Sequence, residues 1–154
     1  MVVSHKDDYK RGVDFIGITV SFIVHDGNGR VLVQKRSQKC RDEQETWDVG
    51  GGAVEFSEKL TDAVDREIKE ELATKPLEIK FLQAGEAHRT SDGKPTHWIW
   101  LLHSVKVDPA LVKIGDSEKI DEIKWITLSN IPSPAHTMLP YALKVAKQNG
   151  LLRS

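Results

Sequence analysis

The chain has 154 residues, with 22 Lys+Arg against 23 Asp+Glu and a formal net charge of −1. That length predicts one domain, large enough to bury a core without disulfides or a structural metal. The balanced charge excludes a dedicated long nucleic-acid track or membrane-surface binder, since both need a basic excess. The opening residues carry no apolar run of signal-peptide length, and the longest large-apolar run, Trp98 to Leu102, falls far short of a bilayer span. The single cysteine, Cys40, lies between Lys39 and Arg41 and reads as a free loop thiol. It fits a reducing, cytoplasmic setting.

From the N-terminus, Ile16, Ile18, Val20, Phe22 and Val24 alternate against Gly17, Thr19, Ser21 and Ile23, which predicts a strand with one buried face. His25 to Arg30 forms a turn and Val31 to Arg36 returns as the second strand of a hairpin. Asp26-Gly27-Asn28 has the opening spacing of a calcium loop, but Ser37 stands where the loop's closing glutamate belongs, so the turn is the better account. A polar loop, Ser37 to Thr46, leads to Trp47-Asp48-Val49 and a glycine loop, Gly50-Gly51-Gly52. A helix follows from Ser57, its expected N-cap, to about Ala73, with Pro76 enforcing the stop.

Leu77 to Arg89 and Thr96 to Val107 predict a second hairpin. A polar connection over 108–119 precedes a short strand, Glu122 to Thr127, and a closing helix, Met138 to Gln148. This order indicates a mixed α/β sheet packed by helices. The domain is expected over 13–150, with an extension at 1–12 and a tail at 151–154.

The first helix carries a local conflict. At about 100° per residue, Leu60, Ala63, Val64, Ile68 and Leu72 share one broad face, and Glu67 and Glu71 fall within about 20° of Leu60, inside the apolar arc. Glu70 lies at its edge. Glu67 and Glu71 are like charges at i,i+4, and burying them unpaired costs several kcal/mol. A hard divalent cation resolves the conflict, and oxygen-only ligands suit Mg²⁺ or Mn²⁺ rather than zinc. The alternative is a solvated acidic face in which Glu71 pairs with Lys75 and Arg66 reaches Asp62 and Glu70. The apolar placement, the preceding glycines and the adjacent arginine favour the metal.

Read as a motif, Gly52, five residues, Glu58, seven residues, then Arg66-Glu67-Ile68-Lys69-Glu70-Glu71 resembles the Nudix box, with Ile68 at its aliphatic position. Two terminal positions depart: Ala73 stands where the family has glycine and Thr74 where it has an aliphatic. The flanking hairpins and the late Trp125-Ile126 strand extend the resemblance to the Nudix hydrolase (MutT-like) family across most of the chain.

The resemblance implies an α/β/α fold, with the box as loop-helix-loop, and metal-dependent hydrolysis of nucleoside diphosphate derivatives. Glu67, Glu70 and Glu71, with the Gly51 or Gly52 carbonyl, would hold Mg²⁺ or Mn²⁺. Glu67 or Glu70 would activate water, Arg66 would orient the glutamates, and Gly52 and Glu58 would support the loop. Asp116 and Glu118 are candidates for a later-loop carboxylate. Phe56, Trp47, Trp98, Trp100 and Tyr141 are candidates to stack on a base, Arg89 and His97 to contact phosphate, and His136 to border the pocket.

The expected partner is a small nucleotide, without long nucleic acid or membrane, and the resemblance admits a homodimer. Two other readings stand beside this one. A catalytically silent nucleotide sensor would show eroded glutamates, and an isopentenyl-diphosphate isomerase would carry a histidine where Ala53-Val54 follow the glycines.

Overall fold

In the computed structural model, residues 9–154 are described. Seven strands form one mixed sheet: β1 (Gly17–His25), β2 (Val31–Arg36), β3 (Trp47–Asp48), β4 (Gly50–Ala53), β5 (Glu78–Ser91), β6 (Lys94–Lys106) and β7 (Ile120–Ile126). The main path runs β3-β2-β1-β6-β5, with β4 added to β1 and β7 to β2. Two helices, α1 (Leu60–Leu72) and α2 (Leu139–Gln148), cover the opposite faces. Among the described residues no helix is long and apolar enough to cross a membrane.

β1 runs parallel to β6 from Gly17↔Trp98 to His25↔Lys106, and α1 with β5 supplies the crossover that a parallel pair needs. Its expected single buried face holds only in part, because helices pack on both sides. Val20, Phe22 and Val24 join Val64, Ile68 and Leu72 of α1, while Ile23 joins Leu139, Leu143 and Ala146 of α2. Ile16 and Ile18, expected inside, remain 49% and 40% exposed at the strand's start. Each fully buried Val, Ile or Leu on α1 contributes roughly 1.5–3 kcal/mol. That is the stabilisation against which the buried charges of the same helix are set.

The glycine run is a strand rather than a loop. Gly50, Gly51 and Gly52 pair antiparallel with Phe22, Ser21 and Val20. Glycine is a poor strand former, so contacts across the sheet impose this pairing. β1 meets β2 only at Val24↔Leu32 and His25↔Val31, and β4 takes up the rest of that edge.

The ends of α1 also differ from expectation. Ser57 does not cap it. The N-cap is Lys59, without a side-chain bond, because Glu58 closes a separate turn through its backbone N–H to the Glu55 carbonyl and its carboxylate to the Glu55 N–H. Nor does Pro76 end the helix. Ala73 turns into the left-handed conformation at φ 50°, directly after Leu72. The 113–115 segment then caps the last turn, with Gly115 N–H donating to the Glu71 carbonyl at 2.8 Å and Lys113 N–H to Leu72 at 3.0 Å. Thr74, at the family's aliphatic position, is buried.

The second hairpin turns at Asp92-Gly93, both with positive φ, which is tighter than the expected six-residue connection. At the first hairpin, Asp26 accepts backbone N–H groups of Asn28 and Arg30, as a turn aspartate should. The last residues do not trail. Leu152 is buried, and Arg153 exchanges backbone bonds with Gly29 and Leu128. At the other end, the Gly12 carbonyl accepts the His97 N–H, whereas residues 1–8 of the expected extension lie outside those described.

A left-handed alanine costs about 1–2 kcal/mol that glycine avoids, partly offset by glycine's greater freedom when unfolded. Ala73→Gly is therefore expected to stabilise the chain by about 0.5–1 kcal/mol. Urea or thermal unfolding checks it, and unchanged or lower stability contradicts the cap assignment.

Candidate functional site

The conflict expected on α1 is present. Glu67 and Glu71 are 4% and 3% exposed on the face that also buries Val64, Ile68 and Leu72. Neither makes the pairings of a solvated acidic helix. Glu71 has Gln34 Nε2 at 3.2 Å rather than Lys75. Arg66 bonds Glu58 at 2.7 and 3.0 Å, Glu67 Oε1 at 2.7 Å and the Ala53 carbonyl at 3.1 Å, with Glu70 at 3.5 Å. Arg66 thus ties the turn before the helix to two of its glutamates and to the end of β4.

The glycine strand makes the space. A Cβ on Gly52 would sit 2.1 Å from Glu67 Oε1, and one on Gly50 would meet Phe22 at 2.2 Å and Glu71 Oε2 at 2.7 Å. A Cβ on Gly51 would lie 2.6 Å from the Val20 carbonyl oxygen, so no side chain fits there either. The Gly52 carbonyl accepts the Thr19 hydroxyl at 2.8 Å.

Electrostatics follow from this burial. Burial, reinforced by the Glu67 charge, pushes the Glu71 carboxyl up to about 8. Burial also raises Glu67 against the pull of Arg66. Hydrogen bonds from Arg66 hold Glu58 well below the carboxylate range. Glu67 Oε2 is buried with no hydrogen-bond partner. An unpaired buried carboxylate oxygen beside a second carboxylate, in a cradle kept open by glycines, fits a hard divalent cation and an all-oxygen shell.

A cavity of about 470 Å³ opens beside this cluster. Glu71 and Gly50 to Gly52 lie at one side, and Trp98, Trp100, Arg89, Arg41 and Tyr141 line other parts. The indoles lie over glycines of neighbouring strands: a Cβ would come within 2.4 Å of Trp98 at Gly17 and 2.1 Å of Trp100 at Gly85. Arg41 stacks over Trp98 at 5.5 Å, and Tyr141 meets Trp100 edge-on at 5.5 Å. Cys40 reaches the same cavity, its thiol donating to the Lys119 carbonyl.

Other sequence candidates fall elsewhere. Trp47 is a core residue against α2, and Phe56 is 99% exposed outside the cavity lining. His97 lies on the hairpin face opposite Trp98 and Trp100, stacked on His88. Glu118 pairs with Lys39, whereas Asp116 accepts the Glu118 and Lys119 N–H groups and stays close enough to raise Glu71 slightly.

Sequence reasoning missed a second polar group on the cavity. Glu43 in the 37–46 loop accepts Arg89 at 2.9 Å, His136 Nε2 at 2.7 Å and both the N–H and hydroxyl of Thr137. His136 Nδ1 accepts the Met138 N–H and lies 3.3 Å from Asp48 Oδ2. Burial lowers His136 to about 4 and raises Asp48 to about 7, so the imidazole is neutral. The sequence points to Arg89 and His136 only singly. Nothing in the spacing joins them to Glu43, a loop residue held at φ 43°.

Three comparisons with known proteins agree with this architecture. The NUDIX domain model matches residues 16–146. The uncharacterized Nudix hydrolase YfcD of Escherichia coli K12 is 28% identical over 123 residues, covering 79% of this chain and 65% of that protein. The chain therefore spans just under two thirds of the length of these curated relatives. A crystal structure of a MutT Nudix hydrolase from Burkholderia pseudomallei superposes with TM-score 0.73 at 23% identity, over 84% of this chain and 96% of that one. The Nudix domain of Shewanella oneidensis NrtR, crystallised with ADP-ribose, gives TM-score 0.72 at 16% identity, over 92% and 90%.

For a carboxyl raised in the folded state, ionisation weakens the fold as pH climbs from the ordinary value toward the raised one. In chelator-treated protein, Glu71→Gln is expected to match wild type near pH 4.5 and to become progressively more stable up to about pH 8. The Tm gap there should be on the order of 5 °C. A gap that narrows as pH rises contradicts the burial argument.

Proposed function

The chain belongs to the Nudix family, and from that premise we propose that it hydrolyses the diphosphate linkage of a small nucleotide with the help of Mg²⁺ or Mn²⁺. The observation that carries this reading is the unpartnered Glu67 Oε2, buried beside Glu71 on a helix whose packing would otherwise reject both charges. Glu67, Glu71 and the more exposed Glu70 would hold the ion, with the Gly51 carbonyl as a further ligand. Bound there, the ion would neutralise diphosphate oxygens and make water more acidic.

The protein's own groups would do the rest. Arg66 fixes Glu67 through Oε1 and leaves Oε2 to face the ion, so the more exposed Glu70 would be the carboxylate to take a proton from attacking water. Arg66 also keeps Glu58 ionised, which stiffens the turn leading into the helix. Trp98 and Trp100 offer flat surfaces for a base, and Arg41 and Arg89 answer the substrate's negative charge at the cavity. The substrate class includes nucleoside triphosphates, ADP-ribose and other nucleoside diphosphate derivatives. The ADP-ribose bound by the S. oneidensis neighbour supports a ligand of this size and chemistry.

The test is a nucleotide panel with Mg²⁺ or Mn²⁺ and product identification by mass. Wild type is expected to cleave at least one diphosphate linkage. Glu71→Gln and Gly52→Ala should each lose on the order of 10²-fold or more in turnover while keeping the far-ultraviolet spectrum of wild type. No cleavage across the panel, or full activity in Glu71→Gln, overturns the reading. Binding without turnover would instead indicate a sensor.

A further inference from the structure

The β5–β6 hairpin has a second chemistry-bearing face, turned away from the tryptophan wall. Ala87 and Arg89 line the cavity, whereas Glu86 and His88 alternate onto the other side of β5, and His97 lies directly across from His88 on β6. The two imidazoles stack with centroids 4.1 Å apart and planes 29° from parallel. Glu86 Oε2 is 2.9 Å from His88 Nε2 and 3.9 Å from His97 Nε2, and one donor atom from each residue lies within 4.8 Å of the others. His97 Nε2 is buried and has no hydrogen-bond partner.

We propose that Glu86, His88 and His97 form a binding site for an imidazole-seeking divalent transition ion, Zn²⁺ in particular, separate from the glutamate cluster of α1. The donor types decide the ion. Two imidazole nitrogens and one carboxylate oxygen match the ligands that zinc takes at about 2.0–2.2 Å, with a water completing a tetrahedron. Mg²⁺ prefers oxygen throughout and suits the α1 cluster instead. Tetrahedral donors at that bond length lie roughly 3.3 Å apart, so the donors must draw closer and the rings must rotate out of their stack to aim their in-plane lone pairs at one ion.

A simple Glu86–His88 ion pair explains less. It holds Glu86 below the usual carboxylate range but leaves the buried His97 nitrogen without a partner. An ion shared by all three satisfies it. The two histidines are fixed opposite each other on the ladder, and the His97 backbone N–H is further tied to the Gly12 carbonyl at 2.8 Å. Glu86 and His88, about two-thirds exposed, leave the site open to solvent. An ion there would clip β5 to β6, the strand that carries Trp98 and Trp100.

Equilibrium dialysis of untagged protein against Zn²⁺, with excess Mg²⁺ present to occupy the glutamate cluster, tests the proposal. Wild type and the Glu67→Gln/Glu71→Gln double variant are each expected to retain one Zn²⁺ per chain. His88→Asn and His97→Asn should each bind at least roughly ten-fold more weakly. Imidazole resonances of His88 and His97 should shift together on addition of Zn²⁺ to wild type. No uptake by wild type, uptake indifferent to the histidine changes, or uptake lost with the glutamates would overturn the site. Should His97→Asn fail to fold, the exposed His88→Asn decides the matter alone.

Discussion

The structure is organised around one conflict: two carboxylates buried among the apolar side chains of α1, facing the three glycines of β4. Val64, Ile68 and Leu72 hold that face against the sheet at 0% exposure, so Glu67 and Glu71 cannot turn to water without unseating the helix. The glycine strand answers by yielding space, since any Cβ at Gly50 or Gly52 would strike a carboxylate oxygen. Arg66 takes up one oxygen of Glu67 and leaves the other free. A site built this way holds its charges close together because packing, rather than mutual attraction, keeps them there.

The surrounding fold serves that arrangement. The 113–115 segment bonds the carbonyls of Glu71 and Leu72, closing the end of α1 and bringing Asp116 and Lys119 toward the glutamates. Because β1 meets β2 over only two residue pairs, β4 can enter beside β1 and a cavity opens next to the cluster. Glu43 then ties the 37–46 loop to Arg89, His136 and Thr137, joining three chain-distant segments around the same cavity. The hairpin that forms one cavity wall carries a chemically different group, two imidazoles and a carboxylate, on its reverse. Oxygen donors thus gather on the helix and nitrogen donors on the sheet, with the thickness of β5–β6 between the tryptophan wall and the histidines.

The helical conflict was legible in the sequence because it is local. A 3.6-residue period places Glu67 and Glu71 among Val64 and Ile68 whatever else the chain does. Spacing across the Nudix box extended that reading. The glycines misled, since a three-glycine run looks like a loop until a neighbouring strand imposes pairing on it. Ser57 and Pro76 misled in the same way. Each is a sound local signal, overruled by the Glu58 turn at one end and the left-handed Ala73 at the other.

By itself, then, the sequence determined the periodic features: the hairpins, the amphipathic helices, the buried pair of glutamates and their membership of a spaced motif. Those depend on dihedral preferences and on residues within a few turns of one another. Tertiary structure alone decided which groups meet across long separations. Glu43 reaches His136 and Thr137, Gly52 lies under Glu67, and Phe56 stands exposed outside the cavity lining. Contacts of that kind are fixed by sheet order and helix packing, and neither is encoded in any single stretch of the chain.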